Sequence, residues 1–185
     1  MACRLPPPIR FLRAALPERA PTLKPTPVTL THQCILQVED DENDVFLLER
    51  AFAHAGITNP VHVAMDGQQA IDYLAAAQGF GDVQNHPLPC LVLLDLKLPK
   101  ISGLEVLAWI RQQPALKKLV VVLFSSSLAP AEVELAYELG ANSFVQKPAD
   151  FRETAEIAQL LKRWWLGYNQ FAPMTESPPA LRRAS

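Results

Sequence analysis

Four apolar runs in this chain end on side chains that can do chemistry. Glu39 and Asp40 follow Cys34-Ile-Leu-Gln-Val38, and Asp95 follows Cys90-Leu-Val-Leu-Leu94. Ser125 follows Leu119 to Phe124, and Lys147 closes Ser143-Phe-Val-Gln. Three carboxylates brought close together repel one another, and a bound cation relieves them. Hard oxygen donors, with water completing an octahedron, select Mg2+. The Lys147 ammonium suits a phosphoryl oxygen, and the Ser125 hydroxyl can donate to another. A carboxylate beside Mg2+ and a lysine, here Asp95, is a nucleophile toward phosphorus. Taken alone, Asp95 reads equally well as a loop residue capping a helix; it is the convergence that gives it a chemical role.

Convergence requires that the runs be parallel strands, because only then do their carboxyl ends share one sheet edge, where ligands collect. The unbroken run at 90–94 reads as a strand covered on both faces. Helical spacing separates the strands. Val45, Leu48, Phe52 and Ala55 precede Gly56, and Asp66 is placed to cap a helix carrying Ala70, Ile71 and Leu74. Leu104, Leu107, Ala108 and Ile110 form a third helix, Ala131–Leu139 a fourth, and residues 150–166 a fifth. Pro60–Ala64 reads as a short edge strand, and residues 78–89 as a long loop. Five strands alternating with five helices predict an α/β doubly wound parallel sheet with right-handed crossovers.

Composition sets further bounds. The chain has 185 residues, 49% hydrophobic and 19% charged, enough for one domain with tails. Residues 1–31 hold seven prolines, five basic groups and one acid. That density of proline defeats helix and sheet, so this stretch is expected to be a disordered extension. The remainder is acidic, which argues against a nucleic-acid partner. No apolar run approaches a membrane span. Three cysteines without a CxxC pattern, two of them in strand-like runs, fit buried free thiols in a reducing compartment, the cytoplasm.

The ordered set Ile35-Leu-Gln-Val-Glu-Asp40, Leu93-Leu-Asp-Leu-Lys-Leu-Pro99, Leu123-Phe-Ser125 and Phe144-Val-Gln-Lys-Pro148 resembles the receiver domain of bacterial two-component response regulators. Ser125 lies 30 residues after Asp95 and Lys147 a further 22, and both spacings match the family. The resemblance extends over about residues 34–165. The Glu39-Asp-Asp-Glu-Asn-Asp44 opening, the loop at 78–89 and Ala136-Tyr-Glu-Leu-Gly-Ala-Asn142 look closest to single-domain regulators that accompany phytochrome-type sensor kinases. It implies a flavodoxin-like (βα)5 fold with strand order 2-1-3-4-5. It also implies that Asp95 is the phosphoacceptor, that Asp40 holds Mg2+ directly and Glu39 through water, and that Asp95 and the Lys97 carbonyl complete the ligands. Lys147 would bridge to the phosphoryl group, Ser125 would be the hydroxyl switch, and Phe144 its aromatic partner. Asp41 reads as a helix cap, and Ser127 has no assigned role.

Rival readings fail on particular residues. An EF-hand from Asp40 would put Val45 where glycine is needed and Ala51 where glutamate is needed. Aspartyl-phosphate phosphatases carry a second aspartate where Lys97 stands. No glycine-rich phosphate cradle is present, and the four histidines show no ligand spacing. The expected domain is 32–167, with a flexible tail at 168–185. The 19 residues after Leu166 are too few for an output domain. A stand-alone receiver is therefore expected, phosphorylated by a sensor histidine kinase and acting on a downstream partner protein, a phosphotransfer partner in a phosphate relay, or its own oligomer. It is not an enzyme beyond its own phosphorylation and hydrolysis. The alternative is a pseudo-receiver that binds proteins without phosphorylation. A homodimer through 150–170 is expected too, with Ile157, Leu161 and Trp164 covering the sheet and Trp165 exposed beside Leu166 and Tyr168.

Overall fold

The computed structural model describes residues 34–80 and 85–172. The extension at 1–31, most of the expected tail and part of the loop at 78–89 lie outside these. The strands are β1 (Ile35–Val38), β2 (Val61–Ala64), β3 (Leu91–Leu94), β4 (Val120–Ser125) and β5 (Ser143–Gln146). They form one parallel sheet in the order β2-β1-β3-β4-β5. The helices are α1 (Glu42–Ala55), α2 (Gly67–Ala75), α3 (Gly103–Gln112), α4 (Pro130–Glu138) and α5 (Phe151–Arg163). The flavodoxin-like order expected from the sequence is the one observed.

Strand alternation sorts the core into two layers. Leu36, Val38, Val92, Leu94, Val121 and Leu123 face α2, α3 and α4 and pack with Leu74, Val106, Leu107 and Ile110. Ile35, Leu91, Leu93, Val120, Val122 and Phe124 face α1 and α5 and pack with Leu48, Phe52, Ala158 and Leu161. β3 is fully buried, as its unbroken apolar run requires. Cys34 and Cys90 are free thiols buried at the opposite end of the strands from the acids.

Local chemistry sets the helix ends. Asp41 caps α1, its carboxylate accepting from the Asn43 amide at 2.8 Å, and Gly56 closes the helix with φ of 67°. Asp66 caps α2 through Gln69, and Asp150 caps α5 through Glu153. Ser102 and Glu105 form a reciprocal capping box at the start of α3.

The closing helix corrects the sequence reading. Its α-helical part ends at Arg163, and Trp164–Tyr168 form a wider π turn. Trp164 is 60% exposed, whereas Trp165 and Leu166 pack against the α1/α5 layer of the core. The buried sector of α5 is set by Thr154, Ala155, Ala158 and Leu161. At about 100 degrees per residue, Trp165 falls near the middle of that sector and Trp164 about 100 degrees away. The large residues alone point the other way; the small ones, which let the helix approach the sheet, decide the face.

Candidate functional site

Backbone hydrogen bonds continue the sheet one residue past the strands and bring the polar tips to one edge. The Glu39 amide donates to the Ala64 carbonyl at 2.9 Å, and the Asp95 amide to the Val38 carbonyl at 3.0 Å. The Lys147 amide donates to the Ser125 carbonyl at 2.9 Å. Glu39, Asp40 and Asp95 each present an oxygen, all within 4.8 Å of one another. Glu39 and Asp95 are buried and Asp40 is exposed, so the cluster opens to solvent on one side.

Lys147 closes the other side. Its Nζ lies 2.5 Å from Glu39 Oε2, 2.8 Å from Asp95 Oδ2 and 2.9 Å from Asp44 Oδ2. Burial works against its charge. The bonds to Asp95, Glu39 and Asp44 outweigh burial and hold its pKa above the ordinary lysine value. For Glu39 the balance is reversed. Burial dominates and, despite Lys147, pushes its pKa up to about 7 from an ordinary 4.5. One ammonium is too little counter-charge for this pocket, and its hard oxygen donors fit a divalent cation such as Mg2+.

Asp95 is held from both ends. Its Oδ1 accepts from the Leu96 amide at 2.6 Å, and its Oδ2 pairs with Lys147. The chain can turn away beneath it because residue 103 is glycine. A Cβ there would sit 1.9 Å from the Asp95 carbonyl oxygen. Lys97 lies on the following loop with its side chain exposed.

Ser125 is fully buried at the end of β4. Its Oγ accepts from the Ser127 amide at 3.4 Å. Ser127 in turn donates its hydroxyl to Glu132 on α4 and accepts from the Ala129 amide. Ala129, the residue before α4, has no side chain with which to cap it, so Ser127 supplies that anchor. Phe144 is half-buried against the α2–α4 layer, across the sheet from Lys147, and its amide donates to the Tyr137 hydroxyl at 3.2 Å.

The structure thus gathers Glu39, Asp40, Asp95 and Lys147, with Ser125 one backbone bond away. It adds Asp44, which the sequence reading passed over. The signal was available: the inward stripe of α1, Leu48, Ala51, Phe52 and Ala55, projects back one turn onto residue 44. An acid on an inward stripe needs a buried partner.

Comparison with known proteins shows the family of the chain. The family model described as "Response regulator receiver domain" matches residues 35–159. Over 136 residues the chain is 37% identical to a probable methanogenesis regulatory protein, FilR2, of Methanothrix harundinacea, covering 74% of this chain and 85% of that one. It is 36% identical over 132 residues to the response regulator Rcp1 of Synechocystis sp., covering 71% and 88%. The structure of Mn2+-bound Rcp1 superposes with a TM-score of 0.67, at 33% identity, covering 76% of this chain and 99% of that chain. That of the phosphorylated cyanobacterial phytochrome response regulator RcpA gives 0.70 at 33% identity, covering 77% and 99%.

Proposed function

The chain belongs to the response regulator receiver family, whose function is phosphoryl acceptance from histidine kinases, and on that premise we propose that Asp95 is its phosphoacceptor. The observation that carries this reading is the pairing of a buried, backbone-fixed Asp95 carboxylate with Lys147, beside two further acids at the open sheet edge. An Asp95 oxygen attacks the phosphorus of a phosphohistidine. The phosphorus–nitrogen bond breaks, and the leaving imidazole takes up a proton.

Each neighbour has a part in this. The Leu96 amide holds Oδ1, and Lys147 holds Oδ2 and then moves its charge onto a phosphoryl oxygen. Glu39, Asp40, Asp95 and the Lys97 carbonyl would hold Mg2+, which supplies charge neutralisation for the incoming phosphoryl group. Ser125 is the hydroxyl that the modified site recruits, and Phe144 the aromatic side chain that follows it. Among the described residues, the Ser125 hydroxyl is held by the Ser127 amide at 3.4 Å, a weak contact that a phosphoryl oxygen can replace.

We take residues 32–167 as the receiver and assign it to a stand-alone regulator of the phytochrome-associated kind in the cytoplasm. Support comes from two regulators it resembles, Rcp1 and the phytochrome regulator RcpA, of which it covers 88% and 99%. Among the described residues, no helix is long and apolar enough to cross a membrane. The output is a partner protein or a second copy, without nucleic acid. Leu160, Trp164 and Tyr168, spaced four apart, are 65%, 60% and 72% exposed, an apolar strip suited to a homodimer through α5 and the π turn.

The test is phosphotransfer from a phosphorylated, phytochrome-type sensor kinase to the full chain. Label should pass to the parent and not to Asp95→Asn. A parent that binds the kinase yet takes no label would establish the pseudo-receiver alternative.

A further inference from the structure

Lys147 is shared among three acids, and one of them stands outside the metal-binding set. Glu39 and Asp95 belong to the group whose oxygens lie within 4.8 Å of each other, and Asp44 does not. A divalent cation and the Lys147 ammonium therefore compete for the same two carboxylates. A cation that draws on Glu39 and Asp95 weakens both of their bonds to Lys147. The lysine side chain is only 10% exposed, and a buried ammonium without a partner is strongly unfavourable.

Asp44 removes the conflict. It sits in the first turn of α1, where the helix dipole favours a negative charge. The Asp41 cap and the buried Leu48, one turn on, fix its place. Its carboxylate reaches Lys147 Nζ at 2.9 Å. Resting on the phosphoacceptor reading above, we propose that Asp44 is a positioning residue that holds Lys147 when the metal occupies Glu39 and Asp95. The ammonium and the cation can then be present together, with Lys147 poised toward the phosphoryl group. The inference assigns a task to an acid that stands outside the candidate metal-binding group.

Calorimetric titration with Mg2+ alone separates this from a general charge effect. The series is the parent chain, Asp44→Asn, Lys147→Met and the double variant. The expected result is about fivefold weaker binding for Asp44→Asn, the size of a partly exposed ion pair. That loss should vanish when Lys147 is already Met. An equal loss in both backgrounds shows that Asp44 acts only through its charge and overturns the proposal, as does no loss at all. Should Lys147→Met fail to fold, the Lys147 ammonium resonance decides by NMR. It should persist on Mg2+ addition in the parent and be lost in Asp44→Asn, and identical behaviour overturns the proposal. A parent chain that binds no Mg2+ sinks the metal site itself, a result distinct from these.

Discussion

Metal-free receiver should lose stability as pH rises, and Glu39 is the reason. The residue is 3% exposed, and burial lifts its pKa to about 7 from an ordinary 4.5. The folded chain therefore holds a proton that the unfolded chain releases earlier. With more protons bound in the native state, stability falls with pH. The contribution is fully present below the unfolded value, near 4.5, and is lost as pH passes the folded value, near 7. At about 1.4 kcal/mol per pH unit, the loss between about pH 5 and about pH 8 is roughly 2–3 kcal/mol. The assay is urea unfolding in EDTA across that range for the parent and Glu39→Gln. The glutamine keeps the shape and cannot ionise, so the parent should be the less stable of the two at high pH and the gap should close toward pH 5. Mg2+ should flatten the parent curve, since the ionised carboxylate then has a partner. A gap that stays constant with pH would refute the assignment of this proton to Glu39.

Three further outcomes follow from packing and hydrogen bonding. Gly103→Ala should destabilise the chain by about 2 kcal/mol or more in denaturant unfolding, because its Cβ would meet the Asp95 carbonyl at 1.9 Å; phosphorylation should slow with it. Trp165→Ala should lower stability by about 2 kcal/mol through lost core contacts, while Trp164→Ala should leave stability unchanged and weaken self-association in sedimentation. Ser125→Ala should still be phosphorylated but show a reduced conformational response in NMR shifts, since the bond it gives up in the unmodified state is the long one from Ser127.

Most of the fold could be read from the chain because its signals are strong and local. Unbroken apolar runs mark strands covered on both faces, and Asp41, Asp66 and Gly56 mark helix ends by their own chemistry. The acid, hydroxyl and lysine tips could be read because a parallel sheet puts every carboxyl end on one edge. What escaped depends on relations across space. Asp44 looks like one more member of an acidic run until the α1 stripe is carried back to it. The two tryptophans exchange places because Ala155 and Ala158, small and unremarked in sequence, set the inward face of α5. Ser127 is indistinguishable in sequence from its two neighbours; only the turn into α4 gives it Glu132 as an acceptor.

The central claim is that Asp95 takes the phosphoryl group, and intact mass tests it most directly. The full chain is incubated with Mg2+ and a small phosphodonor, beside the Asp95→Asn variant and a parent sample in EDTA. The account predicts one added phosphoryl group on the parent with Mg2+, at a site released by hydroxylamine, and none on the variant or in EDTA. Full labelling of Asp95→Asn would contradict it.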